Sequence, residues 1–393
     1  MGTKLHRSRR SMFKKSNPIL GVLKWVIPCV AIVAIGFFGA KYLTEHPLPI
    51  GTDTSEASVP DASSEVSDLP AESDKIDDSL QAFYLPFSAY RNAATRDTAL
   101  SNAAAAGFNA VILEMKDADG TIYFQSSSTR VAKVKCTAEN ALPLADVTAL
   151  FAAARDAGLQ PVVHLYAFRD NAAARALKNA RISYDKNDSW VWYDDSPNDG
   201  GKAWLNPYAD EAHLYIIDLA RELKDAGAAA VMLDGVQFPK TTKKANFGSS
   251  SNTAMSHSEI LTTFVKQAKT MLGEDFPVIV ACEGSAALSE ETKIYGGNPL
   301  TFAPTVAAPT VTLPQDSAGD ALRQAVQAAV KQYVARIMVL PTDQQPLLTP
   351  VIPADSRDMA DIRAAVSGCA DAGAASFILY SAKGQYDFAA LRP

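Results

Sequence analysis

From residue 81 onward the chain alternates short apolar runs with longer, alanine-rich amphipathic stretches, and each pair predicts a strand followed by a helix. The plainest strand is Ala228–Leu233, six small or apolar residues after an amphipathic segment, Tyr208–Ala226, that stops at Gly227. Such a run suits a strand buried on both faces. It breaks at Asp234. A carboxylate closing a buried strand is costly unless something there needs its charge or bonds it. Asp234 therefore either serves a site or ties down the Gly235–Pro239 loop through backbone N–H groups.

The same pattern predicts strands at Gln81–Leu85, Asn109–Met115, Gln160–Tyr166, Pro277–Cys282, Pro299–Ala303, Leu347–Ile352 and Ala375–Tyr380. Helices are predicted at Ala93–Ala106, Pro143–Ala157, Ser258–Leu272, Asp320–Val334 and Met359–Ala372. Gly107, Gly158, Gly227 and Gly373 each follow a helix and precede a strand. A glycine C-cap repeated at four joints favours parallel strands over an antiparallel meander. The expectation for residues 81–393 is one α/β domain, a (β/α)8 TIM barrel, in which active sites gather at the strand C-termini.

The polarity before residue 81 differs. Residues 1–18 are basic and free of acids, which predicts a cytoplasmic tail. Residues 19–43 are apolar apart from Lys24 and Lys41, long enough for one transmembrane helix. A cleaved signal peptide is the rival reading, with Gly39-Ala40 before the cut. Residues 44–80 hold ten acids against Lys75, among serine, proline and alanine, and predict a disordered, self-repelling stalk. The expected placement is the cell membrane, single-pass, with the C-terminal domain extracytoplasmic.

The net charge of −6 averages over a chain whose first 18 residues are basic and whose residues 44–80 are acidic. No basic patch with interleaved aromatics points to nucleic acid. Beyond Cys29, only Cys136, Cys282 and Cys369 occur, without metal-ligand spacing. No zinc-protease, phosphate-loop, dinucleotide or nucleophile-elbow motif is present, so no metal or cofactor is expected. The sequence leaves the oligomeric state open.

Candidate chemistry collects at the predicted strand ends: Glu114 and Asp117 after strand two, His164 and Arg169 at strand three, Asp234 at four and Glu283 at five. Two carboxylates, one ionised and one protonated, are what glycoside hydrolysis requires. The alternative for Glu283 is a structural bridge to a lysine such as Lys116. Between strand three and its helix lies a long excursion carrying Trp190, Trp192, Trp204, Asn206 and Tyr208. Aromatic faces of this kind stack on sugar rings, or else form a small core beneath the loop. His213 and His257 read as surface or capping residues.

Three stretches, Asn109–Gly120 (NAVILEMKDADG), Trp204–Pro207 (WLNP) and Leu233–Pro239 (LDGVQFP), resemble in their order a bacterial family of largely uncharacterised TIM-barrel glycoside hydrolases, distantly α-amylase-like. The resemblance spans about residues 82–388. It implies Asp234 as nucleophile, Glu283 as proton donor, and a polysaccharide or other glycan as substrate. The family usually carries an aromatic residue and an arginine where this chain has Gly235 and Gln237, which leaves Gln237 as a rim contact. Further departures fall at Pro304–Pro309 and near Val351 and Pro353. Two readings stay open: a membrane-tethered glycosidase, and a catalytically inactive barrel that binds glycan or a protein partner at the envelope.

Overall fold

The computed structural model describes residues 79–289, 296–355 and 357–391. The expected tail and anchor, and the stalk as far as residue 78, lie outside the described residues. Among the described residues no helix is long and apolar enough to cross a membrane.

Eight parallel strands close into a barrel. They are β1 (Gln81–Leu85), β2 (Ala110–Lys116), β3 (Gln160–Tyr166) and β4 (Ala230–Asp234), then β5 (Val278–Glu283), β6 (Val306–Thr310), β7 (Val351–Pro353) and β8 (Phe377–Tyr380). Each pairs with its successor, and β8 pairs with β1 to complete the ring. The helices follow in turn: α1 (Ala93–Ala105), α2 (Leu144–Asp156), α3 (Asp210–Asp225), α4 (His257–Leu272), the short α5 (Gly284–Leu288), α6 (Gly319–Met338), α7 (Met359–Asp371) and the short α8 (Phe388–Leu391). A parallel strand can reach the next only through a crossover, so the alternation read from the sequence leads to this ring.

The pleat divides the core in two. Ala82, Ile112, Val162, Met232, Ala281 and Ile378 fill the barrel interior, while the alternate residues meet the helices in a larger outer layer. Small side chains suit the narrow interior of an eight-stranded barrel. Cys136, Cys282 and Cys369 are free thiols.

Two predicted strands are corrected. Pro299–Thr301 is a 3₁₀ turn capped by Asn298, not a strand. The sixth strand is Val306–Thr310, hidden in the sequence by Pro309, which carries no N–H for a ladder. Pro309 sits opposite Cys282, and the flanking small residues let the strand fit the barrel wall. The seventh predicted strand divides at Thr349-Pro350: Leu347–Leu348 pairs with β6, and Val351–Pro353 pairs with both β6 and β8.

The excursion after β3 starts with a short helix, Asn171–Ala176, capped by Asp170. Its hairpin, Ser183–Tyr184 with Asn187–Val191, takes Ala245–Asn246 from the loop after β4 as a third strand. The long loops over β3 and β4 are thereby stitched together.

A buried ion pair anchors that region. A bulge after Glu114 re-aims Lys116 from the interior to the helix layer, where it pairs in register with Leu165. Lys116 Nζ lies 2.8 Å from Asp170 Oδ2, both side chains fully buried. It donates to the Tyr166 carbonyl at 2.7 Å, while Asp170 Oδ1 accepts from the Ala173 N–H at 2.7 Å. Gly120, at φ +93°, packs so closely that a Cβ there would sit 2.0 Å from Asp170 Oδ1. Removing one member of a buried pair strands the other charge, at about 3–5 kcal/mol. Lys116→Met is therefore expected to lose that much stability in urea unfolding. Lys116→Met with Asp170→Leu should recover part of it. A single variant as stable as the wild type would contradict the role given to the pair.

Candidate active site

The period of two that fills the interior also furnishes its mouth. Tyr84, Glu114, His164, Asp234, Glu283 and Tyr380 each lie two residues beyond an interior core residue, at the C-terminal end of a strand. They line a cavity of about 490 Å³, together with Tyr166 and Thr310. Asp117, Arg169 and Gln237 stand on its rim.

Asp234 closes β4 and is 28% exposed. Its Oδ1 accepts the Gly235 N–H at 2.6 Å, and its Oδ2 stands 3.5 Å from His164 Nε2. The charge of Asp234, ahead of burial, pushes the nearby Tyr166 phenol well above its ordinary range. Gly235 adopts φ +64°, and a Cβ there would meet the Tyr166 ring at 3.3 Å, so the strand's exit over the carboxylate depends on a glycine. His164 is buried edge-on to Tyr84 and Tyr166, at centroid distances of 5.4 and 5.2 Å. Its Nδ1 has no partner, which leaves Nε2 as its polar contact with the site.

Glu283 closes β5 and differs from Asp234 in setting. Its side chain is 56% exposed and stands 3.4 Å from Lys240 Nζ. Leu233 is opposite Val280, so Asp234 is level with Ala281. Glu283 sits two residues higher, about 6.6 Å along the strand at about 3.3 Å per residue. The lysine beside it is Lys240 and not Lys116, because the β2 bulge commits Lys116 to Asp170.

On the opposite wall, Glu114 Oε2 accepts the Phe87 N–H at 3.0 Å. Burial first, then the Glu114 charge, pushes the Tyr84 phenol far up. Asp117 is largely spent on its own loop. Its oxygens accept from the Asp119 and Thr121 N–H groups at 3.0 and 2.8 Å and from the Tyr123 hydroxyl at 2.9 Å.

The aromatic excursion divides. Trp192 is 2% exposed, its indole N–H donating to the Lys243 carbonyl at 2.9 Å. Asn206 and Tyr208 are also buried: Asn206 donates to the Phe247 carbonyl and accepts from the Tyr208 N–H, while the Tyr208 hydroxyl reaches the Met255 carbonyl. These three build a small core under the loops and offer no open ring face to a sugar. Asn206 and Tyr208 border a separate polar cavity of about 450 Å³. Trp190 is 61% exposed on the hairpin beside Tyr184, apart from the residues lining the central cavity. Trp204 donates its indole N–H to Asp194 Oδ2 at 2.9 Å and lines a second cavity next to Glu283.

His213, expected on the surface, is buried with Nε2 2.6 Å from the Pro207 carbonyl, and burial lowers its pKa. His257 stacks on Phe238 at 3.7 Å, next to the Ser256–Glu259 capping box. Among the described residues no group of histidine, cysteine and acidic side chains is placed to hold a metal ion. The sequence reading missed Tyr84, Tyr166, Tyr380 and Lys240. The three tyrosines were available by counting two residues on from an interior position. Thr310 went unseen because its strand was misplaced.

A closed parallel barrel with carboxylates gathered at the C-terminal ends of its strands is the architecture of a (β/α)8 enzyme. Residues 82–307, more than half of the chain, match the family model described as "Putative glycosyl hydrolase domain", and the chain belongs to this family. The match ends within β6, so β7 and β8 lie beyond it although they complete the barrel. No curated protein matches.

Among solved structures, a hypothetical protein from Ruminiclostridium thermocellum is 20% identical at a TM-score of 0.44, covering 50% of this chain and 96% of that one. The glycoside hydrolase domain of PelA from Pseudomonas aeruginosa is 14% identical at 0.43, covering 79% and 96%. A chitobiase from Flavobacterium johnsoniae is 11% identical at 0.47, covering 79% of this chain, which spans only 47% of that enzyme. At these scores none of the three bears on the activity.

Proposed function

We propose that this protein is a glycoside hydrolase acting on a cell-envelope or extracellular polysaccharide, with Asp234 as nucleophile and Glu283 as proton donor. The observation that carries this reading is that the two carboxylates close adjacent strands and line one cavity. Asp234 has the setting a nucleophile needs. The Gly235 amide bonds one of its oxygens and His164 Nε2 stands 3.5 Å from the other. Its oxygen forms a bond to the anomeric carbon as the bond to the leaving oxygen breaks, and Glu283 gives its proton to that oxygen. Water then attacks the same carbon, loses a proton to Glu283 and frees Asp234.

The second reading, a barrel that binds glycan without cutting it, has one observation in its favour. Glu283 faces Lys240 and solvent, whereas an apolar setting is the usual one for a carboxyl that must donate a proton. Lys240 is itself 65% exposed and can move aside when a sugar enters.

Asp234→Asn is expected to abolish release of reducing sugar from a panel of polysaccharides, and Glu283→Gln to lower it by about 10²–10⁴. Thermal unfolding of both should match the wild type. Turnover unchanged in Asp234→Asn would remove the nucleophile from Asp234. Binding without cleavage by the wild type would favour the second reading.

We also propose that residues 19–43 tether the domain outside the cytoplasmic membrane through the acidic segment that follows. Protease added to spheroplasts should release the barrel intact. A barrel protected until the membrane is lysed would reverse this placement.

A further inference from the structure

The space around Asp234 does not end at the central cavity. A cavity of about 390 Å³ adjoins it and shares Arg169, Gln237 and Glu283 with it. Another, of about 260 Å³, adjoins it elsewhere and shares Tyr84, Glu114 and Tyr380. The ring order of the strands places these neighbours on different sides of the mouth. The first lies over the ends of β3, β4 and β5, and the second over β8, β1 and β2.

Each side has the materials for a sugar site. At the β1 side Phe87 and Tyr123 stack at 4.5 Å and 13°, giving an apolar wall beside Glu114. At the β4 side Asp199 and Lys240 offer exposed polar groups beside the edge of the largely buried Trp204. An enzyme that trims single sugars from a chain end needs a wall closing one side of its reactive pocket. Here, among the described residues, the reactive cavity continues on both sides.

Resting on the reading of Asp234 and Glu283 given above, we infer that the mouth is a cleft open at both ends, which holds the interior of a glycan chain and cuts it internally. The direction of the chain follows from the carboxylates. Asp234 belongs to the central cavity, so the sugar it attacks lies there. Glu283 is shared with the Trp204 cavity, so the leaving sugar lies on that side. The preceding sugar of the attacked portion then occupies the Phe87–Tyr123 side.

The test uses the full-length protein in detergent with three soluble dye-coupled polymers: a neutral glucan, a partly deacetylated amino-sugar polymer and a uronic-acid polymer. On the polymer it cuts, viscosity should collapse while few reducing ends have appeared, and the products should be oligosaccharides. Chemical blocking of the non-reducing ends should leave the rate unchanged. Tyr123→Ala should lower kcat/KM on that polymer by up to about tenfold, since an aromatic contact contributes about 0.5–1.5 kcal/mol and about 1.4 kcal/mol is a factor of ten. Tyr123→Phe, which keeps the ring, should stay near the wild-type rate. Release of single sugars, or loss of activity on end-blocking, would overturn the open cleft while leaving the glycosidase reading intact. Equal kcat/KM in Tyr123→Ala and wild type would remove the β1 side from the cleft. No cleavage of any polymer would overturn both.

Discussion

The arrangement of the mouth depends on the burial of Lys116 against Asp170. Taking two charges out of water costs several kcal/mol for each ion, and the two offset this with their mutual attraction at 2.8 Å and one further hydrogen bond to each partner. Lys116 also holds the last carbonyl of β3, and Asp170 caps the first turn of the helix that starts the β3 excursion. The result is a three-way tie between the end of β2, the end of β3 and the loop above them. Glu114 lies just before the bulge on β2, and His164 and Tyr166 close β3. The groups that flank Asp234 are therefore set by a contact on the outer side of the barrel wall.

Much of this fold was legible in the sequence because the pleat and the helix leave different periods. β1 and β3 fall at their predicted bounds, and the other predicted helices and strands outside the β5–β7 region shift by one or two residues, while the short α8 was not predicted. The failures share a cause. β6 is a run of small residues with a proline inside it, and β7 is broken next to Pro350, so neither carries the apolar signature of a buried strand. Their place is set by neighbours: β5 and β8 offer open ladder edges, and a closed ring needs two more strands to join them. That information is tertiary and leaves no local trace.

The site was legible to a similar depth. Charged residues ending apolar runs marked Glu114, Asp234 and Glu283, and the cavity brings all three together. Side-chain environment was not legible. Trp190 and Trp192 are two residues apart on the same excursion, yet the first is 61% exposed and the second is sealed into a core. Val280, Ala281 and Cys282 are buried in β5, but the side chain of Glu283 that follows them reaches solvent and Lys240. The family departures at Gly235 and Gln237 acquire a physical sense here. Gly235 makes room for the Tyr166 ring, and its amide bonds Asp234 where position 237 carries Gln and not arginine.

The central claim is that Asp234 forms a bond to sugar. The most direct measurement is mass spectrometry of peptides after incubation with a set of 2-deoxy-2-fluoro glycosyl fluorides, which slow the second step and let a glycosyl-enzyme accumulate. The account predicts one added glycosyl unit on the peptide containing Asp234, absent in Asp234→Asn. A glycosyl unit on a peptide containing Glu114 or Glu283 instead, with Asp234 unmodified in an enzyme that turns over, would contradict it.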